Sequence, residues 1–145
     1  MLLELIATLC AGLFADAAAY VTLVEHPARI ESGITAALAE FRPSYRRGSV
    51  MQASLAAAGF AAAVAAWLGG GGRQVLVGGV LLGLAIPFTL IVILPTNKRL
   101  LDPALTPDSV EAADLLSRWG RLHAVRSVLG ALAFGILVWH LVRRG

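Results

Sequence analysis

Four apolar runs of near-membrane length constrain this chain more than any other feature of its sequence. They cover approximately residues 2–24, 48–68, 74–94 and 121–142, and each is about long enough to cross a hydrocarbon layer as a helix. A soluble bundle needs a polar outer face on every helix, and these runs offer almost none. Only 14% of the residues are charged, whereas soluble domains carry about 25%. The sequence therefore predicts a single all-α, integral-membrane domain built as a four-helix bundle.

Two segments between these runs predict short interfacial helices, in the first and third connections. Residues 30–41 are moderately amphipathic and follow Pro27, where we expect the first helix to bend or end because proline lacks a backbone donor. Thr106 and Pro107 are the residue types that favour an N-cap and a first helical position. The second connection, four glycines at 69–72, is expected to be a flexible turn.

Basic residues are distributed unevenly between the two ends of the predicted bundle. Nine of the 12 lysines and arginines fall in or beside the first and third connections. The positive-inside rule therefore predicts a multi-pass protein of a bacterial cytoplasmic membrane, with both termini outside the cytoplasm. The net charge of +3 favours contact with anionic lipid headgroups. The chain has no basic cluster with interleaved aromatic residues, so its sequence does not predict binding to nucleic acid.

An indole, an imidazole and a guanidinium share one helix face at the start of the last apolar run. Trp119, His123 and Arg126 have the spacing i, i+4, i+7. Arg126 would lie about a turn inside the hydrocarbon, where a charge needs a partner or a wet cavity. We expect Asp16 of the first helix to be that partner, unless Asp16 is protonated or bonds only Tyr20 or Thr22. The ordinary interpretation, an interfacial Trp119 with a snorkelling Arg126, stays open.

Most other polar groups fall near the same face of the membrane, and the opposite end of the helices is nearly without them. Glu25 and His26 end the first helix, where a Glu25–Arg29 ion pair is the ordinary alternative to a site. This one-sided clustering predicts a pocket that opens at the cytoplasmic interface. The candidate catalytic residues are His123, Arg126, Asn97 and Glu25, and the candidate substrate-binding residues are Trp119, Asp16, Tyr20, His26, Tyr45 and Gln52.

A metal site is one chemistry that these residues could support. His26, His123 and Glu25 form the candidate ligand set, and two imidazoles with a carboxylate suit a single iron, copper or zinc ion. The chain lacks the dense His-x-x-His pattern of the histidine-rich membrane desaturases and hydroxylases, which excludes that class. The single Cys10 excludes an intrachain disulfide and a multi-cysteine metal site.

Chemistry without a cofactor is the other option for the same residues. His123 or Glu25 could remove a proton from an acidic carbon or a phenol. Arg126 and Asn97 could then hold the resulting oxyanion against Trp119. An electron-rich carbanion of this kind can react directly with dioxygen, so the sequence leaves the cofactor undecided between none and one metal ion.

Three separated stretches carry a resemblance to a known family. They are Glu25-His26-Pro27-Ala28-Arg29, Pro95-Thr96-Asn97-Lys98-Arg99-Leu100, and Trp119 with His123 and Arg126. Together with the helix count, they resemble the small four-helix membrane family that contains the anthrone oxygenases, much of which is catalogued as a domain of unknown function. The resemblance spans nearly the whole chain. It implies oxidation of anthrones to anthraquinones without a recognised cofactor, with Asn97, Trp119, His123 and Arg126 in the pocket and His123 as the base.

The leading hypothesis is a membrane-embedded, oxygenase-like protein that oxidises a lipophilic aromatic or phenolic small molecule. His123 would accept a proton, Arg126 and Asn97 would bind the oxyanion, and Asp16 and Glu25 would orient these groups. The alternative is a non-catalytic subunit that binds lipid or small molecules or supports a membrane assembly through its glycine-rich helix faces. The expected partners are the bilayer and a lipophilic small molecule, and the chain is a candidate homo-oligomer.

Overall fold

Four long helices account for almost all of the computed structural model, which describes residues 1–144 and shows no strand among them. Helix α1 spans Leu2–Glu31, α2 spans Ile34–Leu68, α3 spans Arg73–Leu101 and α4 spans Val110–Arg144. Each is long and apolar enough to cross a membrane. Each helix packs mainly on its neighbours in sequence, and α4 returns to pack on α1. The predicted all-α, multi-pass four-helix bundle is confirmed.

The segments predicted as short interfacial helices are partly helical, but neither is a separate element. The second was expected to start at Thr106 and Pro107, which is wrong: residues 106–109 are not helical, and the hydroxyl of Ser109 accepts the N–H of Ala112 in the first turn. Helix α1 continues through Pro27 to Glu31, and α2 starts at Ile34 instead of near residue 48. Helix α4 starts at Val110 instead of near residue 121. The breaks expected before residues 48 and 121 are absent, because no run of glycines or prolines lies there. Pro43 alone does not end α2. The first connection shrinks to two residues, of which Gly33 has a φ of 93°.

A π-helical turn precedes a proline in both α1 and α3. The turns cover Val21–Glu25 and Thr89–Ile93, and the prolines follow two residues later as Pro27 and Pro95. A proline ring inside an α-helix clashes with the carbonyl four residues earlier. That carbonyl lies within the π turn in both helices, and we infer that the wider turn relieves the clash. The sequence suggested that α1 bends or ends at Pro27. This local change explains why α1 does not end there.

Small residues allow α3 to approach its two neighbours closely. A Cβ atom added at Gly79 would collide with Ala63 of α2, and one added at Gly78 would come within 2.7 Å of Leu137 of α4. Small residues in membrane helices permit this contact between backbones. The glycine-rich face noted in the sequence is therefore used within the chain, in the half of the bundle nearer the termini.

The end of the bundle that holds the termini carries a buried carboxylate, so the expectation of a nearly featureless end was wrong. Glu4 is only 2% exposed and forms an ion pair with Arg144. Its carboxylate also lies 3.5 Å from Nε2 of His140 and 3.5 Å from the terminal amine of Met1. Arg144 lies 140 positions away along the chain, so no local pattern in the sequence indicates this pair.

The third connection is held by a network around Arg99. Its guanidinium donates to Asp102 at 2.7 Å and to Glu111 at 2.6 and 2.9 Å. Asp102 also accepts the backbone N–H of Ala104 at 2.9 Å. The backbone donor first and Arg99 second lower the pKa of the Asp102 carboxyl, which therefore stays ionised in the loop that joins α3 to α4.

We expect Gly79→Val to destabilise the bundle by about 1–3 kcal/mol, because the new side chain overpacks the contact with Ala63. Gly135→Val is the matched control, since nothing lies within 4 Å of the position its Cβ would take. The free energy of unfolding in mixed detergent micelles measures both effects. Equal losses in the two variants would contradict the close helix contact.

Candidate active site

A small cavity lies between the four helices in the half of the bundle opposite the termini. We call this cavity the polar chamber; its volume is about 40 Å³, room for a few water molecules. All four helices supply side chains to its wall. The lining residues are Val21, Glu25 and Arg29 of α1, Phe41, Ser44, Tyr45, Gly48, Ser49 and Gln52 of α2, Ile93 and Asn97 of α3, and Trp119, His123 and Arg126 of α4.

His123 is held by a stacked ring on one side and a chain of hydroxyl groups on the other. Its ring stacks on Trp119 at a centroid distance of 4.7 Å. Its Nδ1 lies 3.0 Å from Oγ1 of Thr22, which in turn lies 2.7 Å from Oγ of Ser127. Ser127 donates its hydroxyl hydrogen to the carbonyl of Ala18 at 2.9 Å. The imidazole is therefore fixed in position before any ligand arrives.

The direction of this hydroxyl chain assigns the proton on the imidazole. Because a hydroxyl has one hydrogen, Ser127, which donates to Ala18, accepts from Thr22. Thr22 then accepts from Nδ1 of His123, so Nδ1 carries the proton. Nε2 is left with its lone pair and has no hydrogen-bond partner among residues 1–144. A neutral imidazole with a free Nε2 is the form that a general base requires.

Arg126 is buried in the bundle, with 8% of its surface exposed. Its Nη2 donates to Oε1 of Gln52 at 2.8 Å, and its guanidinium lies over the ring of Phe14 at 5.5 Å. Within the described chain Nε has no partner. A buried donor without an acceptor costs about 1–3 kcal/mol, so this atom favours a bound oxygen. The interpretation of Arg126 as a snorkelling surface charge is therefore wrong.

Asn97 lies across the chamber and is 1% exposed. Its Nδ2 donates to Oη of Tyr45 at 3.1 Å, and Tyr45 stacks on Phe41. Its Oδ1 lacks a partner among the residues that the structure describes. Within residues 1–144, the residues that line the chamber thus have two unpaired guanidinium donors, Nε of Arg126 and Nη1 of Arg29, and one unpaired acceptor, Oδ1 of Asn97.

Arg29 is a site residue that the sequence analysis did not single out. Its side chain is 2% exposed and forms ion pairs with Glu25 and Glu40. The guanidinium also lies 5.7 Å from the ring centroid of Phe41 and 5.8 Å from that of Trp119. The i, i+4 spacing of Glu25 and Arg29 was the available signal, and the ion pair proposed as an ordinary helix end is present. Glu25 lines the chamber, but its carboxylate is paired with Arg29. The residue that orients His123 is Thr22.

Asp16 and Tyr20 do not reach the chamber. Both are exposed, and Asp16 is not the partner of Arg126, so the prediction of a buried Asp16–Arg126 pair is wrong. The reason is helical phase: Phe14 and Ala18 point into the bundle, and a residue two positions from an inward residue points about 200° away from it. The two residues do share a face, as expected, but it is the outer one.

His26 does not lie with the other candidate metal ligands, His123 and Glu25, around one site. The ring of His26 packs on Trp119 at 5.2 Å, and its Nε2 faces Gly120, so His26 does not line the chamber. Residues 1–144 contain no group of three His, Cys, Asp or Glu side chains arranged to hold a metal ion. The proposed set of His26, His123 and Glu25 is therefore not assembled by the fold.

These observations define a class: a small four-helix membrane protein with a buried polar chamber at one end of its bundle. Within that class the chain belongs to the anthrone oxygenase family, because the family model described as "Anthrone oxygenase" matches residues 41–136. The matched segment contains Asn97, Trp119, His123 and Arg126, whereas Glu25 and Arg29 lie before it. No curated protein and no solved structure matches the chain.

We expect Gln52→Leu to lower the free energy of unfolding by about 1–3 kcal/mol, because Nη2 of Arg126 loses its acceptor. Adding Arg126→Leu should restore most of that loss, since replacing both polar partners removes the buried, unsatisfied donor. Denaturation of the single and double variants in micelles measures the coupling between the two positions. Purely additive losses would show that the two side chains do not depend on each other.

Proposed function

We propose that this protein oxidises a lipophilic aromatic molecule with dioxygen at the polar chamber, and that anthrones are the substrate class. The observation that carries the proposal is the hydroxyl chain that leaves Nε2 of His123 unprotonated in the chamber that also contains the Nε donor of Arg126, buried and unpaired among residues 1–144. A base next to donors for a developing oxyanion is the arrangement that enolate formation requires. The family to which the chain belongs supports the same reaction type.

The first step is removal of a proton from the methylene carbon between the two aromatic rings of an anthrone. Nε2 of His123 takes that proton, and negative charge moves onto the carbonyl oxygen of the substrate. Nε of Arg126, unpaired within the described chain, is the donor that stabilises this oxygen. Nδ2 of Asn97 donates one hydrogen to Tyr45, and its second hydrogen is the other donor that we propose. Trp119 stacks on His123, which keeps the imidazole in one orientation throughout.

The second step is reaction of the carbanion with dioxygen. Dioxygen accepts one electron, the two radicals combine into a carbon–oxygen bond, and the peroxide anion recovers the proton from His123. Loss of water, which takes the remaining methylene hydrogen, converts the hydroperoxide into a second carbonyl. One oxygen atom ends in the quinone and the other in water, so the substrate supplies all the electrons. The polar chamber, at about 40 Å³, has space for a molecule the size of dioxygen.

The distribution of charge supports a cytoplasmic location for the chamber. Arg42, Arg46, Arg47, Lys98 and Arg99 all lie toward the end of the bundle where the chamber is found. By the positive-inside rule we propose that this end faces the cytoplasm and that both termini lie outside it.

A role as a purely structural subunit has less support. That alternative used the glycine-rich faces of α2 and α3 for contact with other proteins. Gly78 and Gly79 instead contact Leu137 and Ala63 within the chain.

We expect His123→Ala to lower kcat for anthrone in lipid nanodiscs by about 10²–10⁴-fold, because the base is removed. His140→Ala, in the same helix near the termini, is the matched control and should leave kcat unchanged. Oxygen uptake and anthraquinone formed, measured by mass spectrometry, report the reaction. Full turnover by folded His123→Ala protein would refute the assignment.

Thr22 is proposed as a positioning residue, and its variants test the assigned proton on Nδ1. Thr22→Val removes the acceptor of Nδ1, so kcat should fall about tenfold or more while KM changes little. Thr22→Ser keeps a hydroxyl at the same place and should restore most of the rate. If valine and serine at position 22 gave equal rates, the hydroxyl chain would have no part in the reaction.

A further inference from the structure

A second cavity joins the polar chamber on the side that faces α2 and α3. We call it the lateral chamber; its volume is about 270 Å³. It shares Tyr45, Ser49, Gln52 and Arg126 with the polar chamber, so the two are adjacent and Arg126 borders both. Most of its remaining wall is apolar and includes Val50, Ala53, Ala56, Ile86 and Leu90.

The volumes of the two chambers indicate that a ligand with several rings would occupy more than the polar chamber. The polar chamber holds a few waters, whereas small-molecule pockets usually have volumes of about 300–1,000 Å³. The ring system of an anthrone therefore has no place in the polar chamber alone. The lateral chamber approaches the usual range and is mainly apolar, so it fits the body of such a molecule while one polar edge reaches Arg126.

The lateral chamber opens toward the acyl chains of the membrane. Val50 is 68% exposed and Leu90 is 59% exposed, and both border the cavity from the outer surface of spanning helices. Helices α2 and α3 are in close contact between Gly79 and Ala63, but contact is sparse beyond Gly83. Pro87 and the π turn Thr89–Ile93 lie in this second half of α3. The irregular half of α3 is thus the half beside the opening.

A charged group at the inner end of an apolar cavity indicates what the cavity binds. Arg126 is buried, and its Nε has no partner among residues 1–144. An apolar lipid tail would leave this donor unsatisfied, which is unfavourable in a low-dielectric site. A flat, apolar molecule with one acidic or carbonyl oxygen would satisfy it and would also partition into the bilayer.

We infer that the substrate reaches the site sideways from the bilayer, between α2 and α3, and binds with most of its ring system in the lateral chamber and its central ring where the two chambers meet, so that its oxygen is at Arg126. This inference rests on the proposed function for the class of ligand only. The route and the binding position are set by the cavity, by the exposed residues at its mouth and by Nε of Arg126.

Photolabelling in lipid nanodiscs tests the binding position without any turnover. The probe is 4-hydroxybenzophenone, a lipophilic phenol whose ketone inserts into nearby C–H bonds on illumination, and labelled residues are mapped by mass spectrometry. We expect adducts at Val50, Ala53, Ile86 or Leu90 that excess anthrone competes away. Adducts confined to Tyr20, Val24 or Ala36 would overturn the inference, because these residues line another groove, between α1 and α2, that meets the polar chamber at Glu25 and Arg29.

A matched pair of variants tests the route itself. Ala53→Phe fills the mouth of the lateral chamber and should reduce the competed labelling and kcat/KM for anthrone by about tenfold or more, because the added ring occupies the space through which the substrate would enter. A tenfold change corresponds to about 1.4 kcal/mol. Ala58→Phe is the control, since Ala58 is exposed on the same helix but lies outside the chamber wall. Equal effects of the two changes would reject lateral access.

These outcomes separate the route from the chemistry. If labelling follows the expected pattern but His123→Ala retains turnover, the proposed catalytic assignment fails and the route stands. If His123→Ala abolishes turnover while Ala53→Phe changes neither labelling nor rate, the route fails and the catalytic assignment stands.

Discussion

Two guanidinium groups are buried in the membrane-embedded bundle, and the structure around them depends on how their charges are stabilised. A charge in hydrocarbon is unfavourable unless it meets acids, dipoles or ring faces. Arg29 meets Glu25, Glu40 and the rings of Phe41 and Trp119, so its charge is largely neutralised. Arg126 meets a neutral amide and one ring, and its Nε has no acceptor in the part of the chain that the structure describes. Nη1 of Arg29 also lacks a partner there, but only Arg29 has carboxylates to neutralise its charge, so Arg126 is the arginine that we propose for the ligand.

The two ends of the bundle solve different packing problems. Near the termini, glycine and alanine let the helices approach closely, and the interior there is mostly alanine and leucine. Near the chamber, two π turns interrupt the regular winding of α1 and α3. One of these turns contains Thr22, the partner of His123, and the other ends at Ile93 in the chamber wall. Irregular winding at a functional site is common, since it redirects side chains that a regular helix would place elsewhere.

The arrangement of the chambers fits oxidation by dioxygen in a membrane. In the proposed function, an apolar cavity open to lipid would admit a substrate that barely dissolves in water, and a small inner chamber would limit how much water reaches the carbanion. His123, the base that we propose, does not need an acidic partner, because hydroxyl groups fix its tautomer without adding a second charge. This differs from catalytic triads, in which a carboxylate orients the histidine. In a low-dielectric interior, a neutral orienting group avoids the free-energy cost of another buried ion.

The sequence by itself determined the fold class, the number of spanning helices and half of the residues that line the polar chamber, since hydropathy and i, i+4 spacing are local properties. Trp119, His123 and Arg126 share a face in any helix, and the family match is likewise a property of the linear order. Only the tertiary structure decided which way each face turns. Asp16 points outward because Phe14 fills the inward position beneath Arg126, and Gln52 takes the role expected of the acid. Rotation of a helix about its axis depends on contacts with its neighbours, and no single helix carries that information in its own spacing.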